Sequence, residues 1–167
     1  MIAKSYILKN LQWLDKQYNS AKSQRASLLY SKLALLELCG WIEESMDDVV
    51  NRCVNKNVKK HQYRQYLKEQ VVERNSGFDY ERHFRSMLVQ IVGFSVFEKL
   101  EKRVDPVKLH LFKSSLGSLK TIRNSAAHTH IKGITPNVKA PSWCQGELYK
   151  IYDGLITFDQ TLRLLKK

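Results

Sequence analysis

Helix breakers are scarce in this chain: three prolines and seven glycines in 167 residues. No proline occurs before Pro106, so the earlier sequence can sustain long helices without interruption. Cysteine is equally sparse. Cys39, Cys53 and Cys144 include no Cys-x-x-Cys pair, which argues against a disulfide framework and a zinc site and suits a reducing cytoplasm. Cys39 and Cys53 sit among apolar residues and read as small core fillers. No apolar run approaches the ~18–20 residues of a membrane span. The longest, residues 87–97, contains Gln90 and Ser95, and the start of the chain lacks a signal-peptide core. The expected setting is therefore cytoplasmic, with no membrane contact. Acidic residues are also few, 16 against 28 Lys and Arg, leaving a net charge of +12. Such an excess favours polyanionic partners through long-range attraction and counterion release. The motifs HExxH, GxGxxG, GxSxG and the P-loop are all missing, so the common metalloprotease, nucleotide and hydrolase chemistries have no foothold.

What is present is helical periodicity, on a chain whose length fits one domain spanning 1–167. Ile7, Leu11, Leu14 and Tyr18 form an amphipathic stripe over 2–20. A second helix is predicted from near Ser23 to Asn55, with Leu28, Leu35, Leu38, Cys39, Ile42, Met46, Val49 and Cys53 on its core face and Gly40 as a weak point. A basic third helix covers about 58–74, ending at Asn75-Ser76-Gly77, where glycine can take a left-handed cap conformation. Asp79 is a good N-cap for a fourth helix to about Arg103, apolar almost all round between Met87 and Leu100 and so expected to be central and buried. Asp105-Pro106 opens a fifth helix that runs toward Gly133. Ser142 with Gln145 suggests a capping box for the last. The expectation is an all-α, largely up-and-down bundle of about five to six helices.

Candidate chemistry is concentrated in two places. Glu43, Glu44, Asp47 and Asp48 form two i,i+4 carboxylate pairs, which could hold a hard divalent cation. The plainer reading, an acidic face balancing basic residues of another helix, is preferred, and no metal or cofactor is expected. The second place is Ile122-Arg123-Asn124-Ser125-Ala126-Ala127-His128-Thr129-His130. Asn124 and His128 share a helix face one turn apart, whereas Arg123 and His128 diverge by about 140° and meet only at a groove between helices or subunits. The remaining histidines, His61, His83 and His110, have no acid, cysteine or second histidine at metal-ligand spacing.

Arg123-Asn124-Ser125-Ala126-Ala127-His128 resembles the R-x4–6-H motif of HEPN domains, including the polar residue after the arginine, and it lies in the next-to-last helix as in that family. The run Glu37 to Asp48 is similar to the second-helix signature of the RiboL-PSP-type branch. The resemblance implies a metal-independent endoribonuclease working as a homodimer, its two motifs facing across a cleft, in a toxin–antitoxin or anti-phage setting. A ribose 2′-OH would attack the neighbouring phosphodiester. His128 suits proton transfer at neutral pH, Arg123 suits the phosphate through its planar fork, and Asn124 would orient the imidazole or hold the phosphate. His130, nearer the Arg123 direction but also nearer Gly133, is expected to be a secondary phosphate contact. Lys59, Lys60 and Arg64 would bind the RNA backbone. The partners expected are RNA, a second copy and an antitoxin or defence-system protein. The alternatives are a non-catalytic HEPN module binding RNA or protein, and a basic helical adaptor.

Overall fold

A computed structural model describes residues 2–128 and 138–164, which form helices and the connections between them, with no strand among them. The helices are α1 (Ser5–Asn19), α2 (Gln24–Asn57), α3 (His61–Leu67), α4 (Ser86–Val92), α5 (Phe94–Arg103), α6 (Pro106–His128) and α7 (Pro141–Leu164). Two π-helical segments, Lys68–Val72 and Tyr80–Arg85, follow α3 and lead into α4. The all-α architecture expected from periodicity is the one observed, with seven helices among the described residues rather than five or six.

Local signals account for most helix ends. The Ser23 hydroxyl accepts the Ala26 N–H at 3.2 Å and starts α2, whose 34 residues span about 50 Å. Asp79 Oδ1 accepts the Arg82 N–H at 2.9 Å, and Asp105 Oδ1 accepts both Val107 and Lys108 N–H at 2.9 Å, with Pro106 in the first turn of α6. The last helix departs from expectation. It begins at Pro141, so Ser142 lies inside it, and Gln145 reaches across to the Leu11 carbonyl of α1 at 3.4 Å rather than closing a capping box.

A larger departure concerns the fourth helix. It is split at Gly93, which adopts φ +80°, so residues 79–103 form a π-helical entry, α4 and α5. The segment is not the central buried helix that its composition suggested. Phe94 is 73% exposed, and Val89, Ile91 and Val92 are only half-buried. A positive φ open to glycine turns the chain before the apolar run can cross the core. The core is built instead around α2 and α7, which bury Leu38, Ile42, Met46, Leu148, Ile151 and Phe158.

Four rings tie that core to the π-helical segment before α4. Tyr80, Phe84, Phe112 and Phe158 pack with centroids 5.2–6.3 Å apart, several edge to face. Gly154 permits the approach of α6 and α7, because a Cβ there would lie 2.6 Å from the Phe112 ring. The Tyr80 hydroxyl donates to Glu101 at 2.7 Å, and Lys113 Nζ lies 4.1 Å from the Tyr80 ring centroid. Residues 80–85 are thus fixed at both Tyr80 and Phe84, and His83 between them has a firmly held backbone.

Candidate functional site: a polar pocket at Arg123

Arg123 and Asn124 of α6 open onto a pocket of about 270 Å³, lined also by Glu43 of α2, Lys120 and the segment Ser76–Asp79 with His83. Arg123 is half-buried and loosely held. One guanidinium nitrogen is 3.9 Å from Glu43 Oε1, and another donates to Asn124 Oδ1 at 3.3 Å. Lys120, one turn earlier, is committed more tightly, donating to Asp79 Oδ2 at 2.6 Å. That hydrogen bond, together with the Arg82 N–H and the positive charge, holds the Asp79 carboxyl below the usual carboxylate range against the opposing effect of burial. Of the two cations in the pocket, Arg123 is therefore the one that can change partners at low cost.

His83 is fixed in three ways. Its backbone is held by the flanking rings, and its Nδ1 accepts the Asp79 backbone N–H at 3.0 Å. Its ring also fills the space a side chain at residue 77 would need: a Cβ on Gly77, which has φ +131°, would lie 2.7 Å from His83 Cε1. With Nδ1 acting as acceptor, a neutral ring at this position carries its proton on Nε2.

The sequence candidates divide accordingly. Arg123 and Asn124 both line the pocket. α6 carries His128 one turn beyond Asn124. The His128 side chain and the whole of His130 lie outside the described residues. Lys59 and Lys60 are exposed and do not line this pocket. Nor does Arg64, whose Nε donates to the Val58 carbonyl at 2.6 Å and which faces a separate groove beside Asn51 and Asn55.

The acidic cluster also splits. Glu43 faces Arg123, as expected of acids balancing another helix, while Glu44, Asp47 and Asp48 line a groove with Ala3, Trp41 and Ser45. Burial, reinforced by Glu43, Asp48 and Glu44, pushes the Asp47 carboxyl up to about 6. Among the described residues no three His, Cys, Asp or Glu side chains are grouped so as to hold a metal ion. Cys39 is buried beneath this region. Burial raises its thiol to about 12 although Arg123 opposes the rise, so it is no nucleophile.

Sequence reasoning missed His83, Lys120 and the second role of Asp79. The usable signal was a histidine one turn after an N-cap aspartate, with a glycine two residues before that aspartate. Spacing rules tuned to metal ligands pass over it.

No family model, curated protein or solved structure matches this chain.

Proposed function

We propose that the protein is a metal-independent endoribonuclease that cleaves RNA by attack of a ribose 2′-OH on the adjacent phosphodiester. The observation that carries this reading is the convergence of Arg123 and Asn124 with the pinned imidazole of His83 on one pocket. Arg123 exchanges its weak contact with Glu43 for two phosphoryl oxygens, a pairing its planar fork favours. His83 Nε2–H and the Asn124 amide donate to the same group, where preorganised donors stabilise charge that grows in the transition state. His128 takes the proton from the 2′-OH as oxygen attacks phosphorus. The departing 5′-oxygen is protonated by a second imidazolium, leaving a 2′,3′-cyclic phosphate and a 5′-OH end.

A second copy supplies that second imidazolium, and one face of α2 suits self-association. Leu29, Leu33 and Leu36 are 50%, 44% and 38% exposed on a ridge that continues through Gly40 to Glu43. Arg25 and Lys32 lie toward its N-terminal end, and Glu43, Glu44 and Asp47 toward its C-terminal end. Antiparallel pairing about a two-fold axis near Leu36 sets the basic half of one ridge against the acidic half of the other, the self-complementarity an isologous interface requires.

Incubating the purified protein with total RNA, with and without EDTA, tests the reading. Cleavage that survives EDTA, spares single-stranded DNA, leaves cyclic phosphate ends and is lost in Arg123→Ala and His128→Ala supports it. His130→Ala should reduce cleavage without abolishing it. RNA binding without cleavage by the unmodified protein would instead make this a binding module.

A further inference from the structure

α3 contributes no buried residue to the core, yet it carries two tyrosines in the open: Tyr63 is 52% and Tyr66 62% exposed. They lie three apart on the helix, about 60° around it, so they flank a single strip of surface. Lys59 and Lys60 lead into the helix, and Lys60 Nζ lies 5.6 Å from the Tyr63 ring centroid. The other face of the helix is already engaged, since His61, Arg64 and Lys68 line the groove against α2 and Arg64 is tied to the Val58 carbonyl. What remains open is thus a short strip of two aromatic rings beside two lysines, on a chain with net charge +12. Lysines alone would suit any polyanion. Adjacent exposed rings suit one with flat apolar faces of its own, and an unpaired nucleic-acid strand offers both.

We propose that α3 is a binding site for an unpaired nucleic-acid strand, with bases stacked on Tyr63 and Tyr66 and phosphates held by Lys59 and Lys60. The site lies apart from the Arg123 pocket and does not depend on cleavage there; that its strand is RNA in function rests on the proposed endoribonuclease reading. Base pairing hides the faces that stacking needs, so a duplex engages the lysines only.

The test is fluorescence anisotropy with a labelled 2′-O-methyl RNA 12-mer, which 2′-OH chemistry cannot cut, alongside a single-stranded DNA 12-mer and an RNA duplex. Stacking on one aromatic is worth about 1–3 kcal/mol, so Tyr63→Ala or Tyr66→Ala should each weaken single-strand binding about five- to hundredfold. Tyr→Phe at both positions should retain it, duplex binding should be unchanged, and the salt dependence should keep its slope. Lys59→Ala with Lys60→Ala should instead flatten that slope by about 0.7 per lost phosphate contact. Circular dichroism of the tyrosine variants should match the unmodified protein. Single-strand binding within twofold in the double tyrosine variant, or an equal loss on duplex, overturns the proposal. So does tyrosine-dependent binding to anionic vesicles with none to the oligonucleotides. A protein that binds strands this way but cuts no RNA would refute the endoribonuclease reading and leave this site standing.

Discussion

Replacing Gly77 by alanine should damage the protein through His83, and a double-mutant cycle can show it. The new methyl group would lie 2.7 Å from His83 Cε1 and 3.0 Å from Nδ1, so the ring must swing away and release the Asp79 N–H. Backbone strain at φ +131° costs about 1–3 kcal/mol for a residue with a side chain. Losing the hydrogen bond adds about 0.5–1.5 kcal/mol. Gly77→Ala alone should therefore destabilise by roughly 1.5–4.5 kcal/mol, the sum of those two effects. In a His83→Ala background the ring and its bond are already gone, leaving only the strain. The two substitutions together should then cost about 1 kcal/mol less than the sum of the singles, the coupling expected of groups in contact. Urea unfolding of the four proteins, followed by circular dichroism, measures this directly. Additivity within about 0.3 kcal/mol, the figure for independent sites, would refute the claim that Gly77 exists to seat the imidazole.

Other expectations follow from the same contacts. Arg123→Lys keeps the charge but loses the fork, and RNA cleavage should fall about 10²–10³-fold in single-turnover assays, as for loss of one transition-state donor. Asp47 has a folded-state pKa raised to about 6, chiefly by burial, so its stabilising contribution is present below ~pH 4 and lost as the pH rises through about 6. Asp47→Asn should thus raise the melting temperature relative to the unmodified protein at pH 8, with the difference vanishing under acid conditions. If the proposed two-fold dimer forms through α2, Leu33→Lys, at a 44% exposed position, should leave the helical spectrum intact while light scattering shows a monomer in place of a dimer.

How much of this was legible in the sequence depends on the range of the interaction. Ser23, Asp79 and the Asp105-Pro106 pair act on amides two or three residues away, and each marks its helix start in the structure. The core stripe of α2 was equally readable, because a 3.6-residue period records the buried face. The fourth helix was misread for the converse reason. Composition shows that residues 87–100 are apolar but not that Gly93 takes a positive φ and leaves Phe94 exposed. Arg123 and Asn124 were found through the motif they form along one helix. His83 and Lys120 were not, since their part in the pocket depends on how α6 packs against the segment after α3, a contact between elements distant in sequence. Arg64 was assigned to RNA as part of the basic third helix, and its bond to the Val58 carbonyl six residues back is a local contact that charge does not reveal.

The claim that matters most is that the ribose 2′-OH is the nucleophile, and one substrate tests it. Once a cut site has been mapped in a defined RNA, the same RNA carrying a single 2′-deoxy nucleotide on the 5′ side of that bond is offered to the protein. This bond should be spared while other sites in the molecule are still cut, because the attacking oxygen has been removed from that position alone. Cleavage of the deoxy-substituted bond at the unmodified rate would rule out the 2′-OH as nucleophile and point to attack by water.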